Sequence, residues 1–238
     1  MKGRRTYSKL LGFAVLSFFI FHFSFSFAHN DTTLYMGTVL KLDIASPILI
    51  PATTKWQIQN YELAANVRLK DRFYPTLEIG YAGGTKNQGD SIAYYGQGGF
   101  CRIGADIHPL KKHPNSPHAL LIGVRLCTAV QGFEQQLNDT WSVNGVATDC
   151  WGEIVAGCQV QIAKVKRQTT NDKRQMAFYM GWMARFKCLF TRTMTNYALP
   201  KEVRGENSTS NMMPVYIPGF GPRDNLGWGA NYYLGWKF

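Results

Sequence analysis

Eleven charged residues recur at alternate positions of apolar stretches: Lys41, Asp43, Glu62, Arg68, Glu78, Arg102, Asp106, Arg125, Glu153, Arg185 and Lys187. Both signs are present in similar numbers, which suits a network of ion pairs and hydrogen bonds, because an unpaired charge held away from water is costly. Such a set is structural unless it lines a passage, where it becomes a polar pore. Other reactive residue types are sparse. Acyl transfer or hydrolysis needs a serine or equivalent nucleophile beside a histidine base. After residue 28 the histidines are His29, His108, His113 and His118, three of them crowded into one proline-rich segment, His108-Pro-Leu-Lys-Lys-His113-Pro-Asn-Ser-Pro-His118. No Ser–His pair is expected from that placement, hence no catalytic residues and no enzyme. The spacing of those histidines, with no carboxylate or cysteine nearby, predicts a solvated turn rather than a metal site, and no cofactor is expected. Cys101, Cys127, Cys150, Cys158 and Cys188 are odd in number and lack CxxC spacing. Cys150, expected at the end of a loop, is the cysteine best placed for an intermolecular disulfide.

The elements that carry these charges show a period of two. From Tyr61 to Leu69, apolar residues hold the odd positions while Glu62, Asn66 and Arg68 hold even ones, the pattern of a strand with two unlike faces. The same reading applies to Met36–Ile44, Phe73–Tyr81, Cys101–His108, Leu120–Val130, Ile154–Ile162, Phe178–Phe186 and Trp228–Phe238. Eight such strands are the smallest number that closes a membrane-spanning barrel. The connections alternate in length: 46–60, 83–96, 133–150 and 191–226 are long, whereas 70–72, 109–117 and 167–174 are short. An all-β, antiparallel up-and-down transmembrane barrel has this arrangement, with short turns and both termini on the periplasmic side.

The first 28 residues carry Lys2, Arg4, Arg5 and Lys9, then an apolar run, then Ser26-Phe27-Ala28, which is the grammar of a cleaved secretory signal. The expected organisation is therefore a signal peptide over 1–28 and a barrel domain over 29–238. Removing the leader lowers the net charge from +11 to +7. No run of Lys and Arg concentrates that excess, so no nucleic-acid partner is expected. A soluble lipocalin-type barrel would show the same alternation with the apolar face inward. The loop asymmetry favours the membrane, as do Phe73, Trp182, Trp228, Trp236 and Phe238 near strand ends, where an interfacial girdle would lie. The long loop 191–226 contains a Pro- and Gly-rich stretch in which Tyr216, Ile217 and Phe220 offer apolar anchors, either over the barrel mouth or for a partner.

The chain finishes inside its last strand, with Tyr232, Leu234, Trp236 and Phe238 on one face. A closed barrel permits this because the last strand pairs with the first, and the ending resembles the signal by which outer-membrane barrels are recognised by their assembly machinery. The stretches "KLDIASP" (41–47), "YELAANVRLKDRFYPTLEIGY" (61–81), "VYIPGFG" (215–221) and "WGANYYLGWKF" (228–238) resemble an outer-membrane barrel family of the Bacteroidota catalogued as a domain of unknown function. The resemblance implies an outer-membrane location and contact with its lipid, and it implies no catalytic or ligand-binding residues. The expected role is structural or interactive, with an envelope protein partner expected at the external loops. The alternatives are a subunit of a larger outer-membrane secretion or assembly machine, and a narrow polar channel.

Overall fold

The computed structural model describes residues 35–53, 58–69, 72–87, 93–109, 118–138, 141–166, 175–195, 221 and 225–237. The segment assigned to the signal peptide, the anchors Tyr216, Ile217 and Phe220, and Phe238 lie outside the described residues. Eight antiparallel strands close into one up-and-down barrel: β1 Tyr35–Asp43, β2 Ile58–Leu69, β3 Phe73–Asn87, β4 Ala93–Ile107, β5 Ala119–Asn138, β6 Trp141–Lys166, β7 Gln175–Thr195 and β8 Leu226–Lys237. Closure is antiparallel, with Val39 opposite Lys237 and Asp43 opposite Tyr233. Every strand thus has a hydrogen-bonded neighbour on both sides along part of its length, and no strand among the described residues is a free edge strand. The end of the barrel carrying the connections after β2, β4 and β6 is here the turn end, and the opposite end the loop end.

Three features depart from the sequence reading. The strands run farther toward the loop end than expected, so residues 83–87, 93–96, 133–138, 141–150 and 191–195 are strand rather than loop. Cys150, expected in a loop, therefore sits within β6 opposite Thr128 and Thr191. Residues 46–53, expected as loop, form a helix α1 (Ser46–Thr53). Asp43 starts it: its Oδ1 accepts from the backbone N–H groups of Ala45 and Ser46 at 3.0 and 3.2 Å, and its Oδ2 from the Ser46 hydroxyl at 2.5 Å. A short acceptor side chain just ahead of the first turn, with Pro47 inside it, is a favourable helix start. In β1, Gly37 adopts φ 122° where the β1–β2 register shifts, a bulge that favours glycine.

The alternation reverses along the barrel axis, which explains the missed strand length. Toward the turn end the outer face is apolar (Leu63, Leu77, Ile103, Val124, Ile154, Phe186) and the inner face charged. Toward the loop end the inner face becomes apolar, with Phe100, Ala129, Phe133, Ala147 and Trp151 packed in one cluster. There the outer face carries Glu134, Asn144, Thr148 and Thr193.

Candidate functional site in the barrel interior

In a strand, successive side chains point to opposite faces, so one charged residue per strand in a consistent phase delivers a ring of charge to the lumen. β2 supplies Glu62, β3 Glu78, β4 Arg102, β5 Arg125, β6 Glu153 and β7 Arg185, all buried. Arg185 reaches three carboxylates: Nη1 lies 2.8 Å from Glu78 Oε2 and 2.9 Å from Glu153 Oε2, and Nη2 lies 2.9 Å from Glu62 Oε1. Arg102 meets the same three carboxylates, at 2.6 Å from Glu62 and 3.3 Å from both Glu78 and Glu153. Arg125 joins Glu78 at 2.9 Å to Asp106 at 2.7 Å. Only a guanidinium, with five donors in a fixed plane, can bridge several carboxylates in this way.

Neutral polar groups extend the network. Asn66 Nδ2 donates to Thr76 Oγ1 at 2.6 Å and to Asp106 Oδ2 at 3.2 Å. Asn231 accepts from Arg185 Nε at 2.6 Å and donates to Asp43 Oδ2 at 2.6 Å, tying β7 and β8 to β1. The Lys41 ammonium lies 4.5 Å from the Tyr233 ring centroid, and that of Lys187 6.0 Å from the ring of Trp151. Trp151 Nε1 donates to Glu153 Oε1 at 2.8 Å, joining the ionic layer to the apolar cluster above it. Between Asp43, Asn66, Arg185 and Tyr233 a void of about 20 Å³ remains, room for about one water molecule.

Of the eleven charged residues singled out from the sequence, ten are buried, and Arg68 is half-buried near the turn end. The sequence reading placed Asn66, Thr76 and Asn231 on the polar faces of their strands but left them out of the network, because they are neutral. It also passed over Asp149 and Arg192, which it had assigned to loops. Arg192 holds Asp149 through two donors, at 2.6 and 2.8 Å. Gly221, itself buried, sits over that pair: a Cβ built there would lie 3.0 Å from Asp149 Oδ2 and 3.3 Å from the Trp151 ring. Of the aromatic ending, Tyr232 and Leu234 are exposed on the outer face, with Trp236 partly so. Phe73 and Trp236 lie near the turn end and Trp228 toward the loop end, whereas Trp182 stands farther in, opposite Tyr232. His108 is buried and His118 exposed, and no group of His, Cys, Asp and Glu suited to a metal ion occurs among the described residues. Cys127 is buried inside, while Cys101 and Cys158 are partly exposed and Cys188 is exposed.

Fold and interior together define a closed eight-stranded barrel with an apolar outer belt and a salt-bridged interior. The chain belongs to the family described as Domain of unknown function (DUF6048), whose sequence profile matches residues 13–237. No match was found among curated proteins or solved structures.

Proposed function

We propose that this protein is an integral barrel of a bacterial outer membrane, with both termini periplasmic, whose role is structural or interactive rather than catalytic. The observation that carries the reading is the polarity of the wall. Val124, Ile103 and Ile154 are 55, 62 and 59 % exposed on neighbouring strands, while the charges between them are buried. A water-soluble barrel has the opposite distribution, and so much contiguous outward apolar surface needs a covering phase. From Leu120 to Val130 the outward run on β5 spans roughly 25 Å of height at a tilt of about 40°, close to the apolar band of known outer-membrane barrels. The reversal of alternation beyond that height fits strands that emerge into water.

The interior supports a plugged scaffold over a conducting channel, because ion pairs among the described residues cross the lumen and the void beside them has room for about one water. Partners would then be outer-membrane lipid, the barrel-assembly machinery that reads the aromatic ending, and an envelope protein met at the loop end. Membership in a larger outer-membrane machine is the second reading. It is favoured by the wall of β5, β6 and β7, which runs well past the apolar belt. The deciding test is quenching of tryptophan fluorescence by lipids brominated along their acyl chains. Trp182, Trp228 and Trp236 on the outer face should lose intensity, while a variant retaining only the fully buried Trp151 should not. Equal protection of inner and outer tryptophans would reject the membrane reading.

A further inference from the structure

The outer wall formed by the described residues holds a depression that the barrel does not need for its own packing. Two rows of directly opposed residues cross β4, β5 and β6 just beyond the apolar belt: Gln97, Gly132 and Val146, then Tyr95, Glu134 and Asn144. They bound an outward-opening hollow of about 360 Å³. Gly132 is its floor. A Cβ built on Gly132 would meet nothing closer than the Gln97 carbonyl oxygen at 3.9 Å, and its backbone is not in the left-handed region. Gly98, Gly104 and Gly157 differ, since a Cβ on any of them would strike the backbone of the next strand. Gly152 is covered by the Phe190 ring. Neither backbone conformation nor packing calls for glycine at 132, and glycine weakens a strand interior. The space it leaves open is therefore the feature to explain.

The groups around that space select a ligand by their donor and acceptor capacity. The hydroxyls of Tyr81 and Tyr95 both donate to Gln97 Oε1 at 2.8 Å. This leaves the amide nitrogen as the donor end of Gln97 and the two tyrosine oxygens as acceptors. Glu134 accepts only, and Asn144 does both. A phosphate only accepts and is repelled by Glu134. An ammonium only donates, serving Glu134 and the tyrosine oxygens but leaving the amide N–H groups of Gln97 and Asn144 without acceptors. Sugar hydroxyls donate and accept, and the Tyr95 ring adds an amphipathic surface for the sugar's C–H face. We infer that this hollow binds an uncharged saccharide, carried either as a lipid headgroup or on a free glycan. The inference rests on the membrane reading only for the position of the hollow beside lipid headgroups.

The test uses the full barrel and two probes. Soluble gluco-, manno- and galacto-oligosaccharides are titrated calorimetrically into protein held in a sugar-free detergent. Native mass spectrometry then asks which lipid the barrel retains when released from phosphatidylcholine vesicles with and without a monohexosyl diacylglycerol. Saccharide binding is expected in at least one arm, with binding confined to the hexosyl lipid identifying a headgroup. Gln97→Ala, which removes the donor, should weaken binding roughly tenfold, the loss expected from one or two hydrogen bonds, and Gly132→Leu, which fills the floor and excludes the sugar sterically, should weaken it by at least about as much. Absence of binding in both arms, or undiminished binding by both variants, overturns the inference. If Gly132→Leu does not fold, Gln97→Ala decides. Failure of the wild type to associate with any vesicle defeats the membrane reading, and the detergent titration still judges the hollow.

Discussion

Replacing Glu78 by glutamine keeps the shape of the side chain and removes one charge from the centre of the lumen. Glu78 is 1 % exposed and meets Arg185 at 2.8 Å, Arg125 at 2.9 Å and Arg102 at 3.3 Å. Each such contact is worth several kcal/mol at an effective dielectric constant of about 20, most of it offset by desolvation. Breaking a buried pair costs about 3–5 kcal/mol. The lower figure applies here, because Arg185 and Arg102 keep Glu62 and Glu153 and Arg125 keeps Asp106. The expected loss is therefore about 3 kcal/mol, against less than about 0.5 kcal/mol for Glu134→Gln on the exposed wall. Urea unfolding of the barrel in phospholipid vesicles, followed by tryptophan fluorescence and by the heat-dependent gel shift, measures both. The deficit should persist at 1 M salt, where screening in water acts within about 3 Å. A loss below about 1 kcal/mol, or one that vanishes in salt, would refute the sealed network and mean that water fills the lumen.

Arginine at Val124, on the outer face between Ala105 and Ile154, should cost about 2–4 kcal/mol in the same titration if that face meets lipid. Arginine at Asn144, beyond the belt, should cost far less. Gly157→Ala drives a Cβ against the Trp182 carbonyl and should cost about 1–3 kcal/mol by overpacking, read from the unfolding midpoint. Planar-bilayer recordings of the wild type should be electrically silent, and sustained discrete steps would revive the channel. Arg192→Ala removes the bidentate partner of Asp149, whose neighbour Gly221 belongs to the β7–β8 connection. Limited proteolysis should then cut that connection several-fold faster, and an unchanged rate would mean that Asp149 does not hold it.

Strand number, closure and the inward phase of the charges were legible because period-two alternation has maximum contrast where one face is apolar and the other charged. Tyr61–Leu69 and Leu120–Val130 are such stretches. Contrast disappears where the pattern inverts: Phe133 and Trp151 turn inward while Glu134 and Thr148 turn outward. A reader holding one phase sees irregular loop there, although the backbone continues as strand. The helix after β1 was hidden for another reason. Its sequence, Ser-Pro-Ile-Leu-Ile-Pro-Ala-Thr, has weak intrinsic helicity, and the cap that nucleates it comes from Asp43, which also accepts from Asn231 on the last strand. Asn66, Thr76 and Asn231 sat in the correct phase, but nothing local distinguishes a neutral amide or hydroxyl that completes a network from one that meets solvent.

Among the described residues, the seam where the chain meets itself is also the shortest in the wall. β1 and β8 share five opposed residue pairs, against nineteen for β5–β6 and twenty for β6–β7. Parting the cylinder anywhere else means unzipping more of the ladder. The barrel therefore has a built-in latch, set by Asn231 on Asp43 and Lys41 over Tyr233 once the two ends have met. Closure joins the strands farthest apart in the sequence, so it carries the largest loop-closure entropy of any seam. Until the latch sets, the nascent sheet presents two open edges, and one of them ends in the aromatic stripe of Tyr232, Leu234 and Trp236. A short peptide copying either edge is thus the natural competitor for closure.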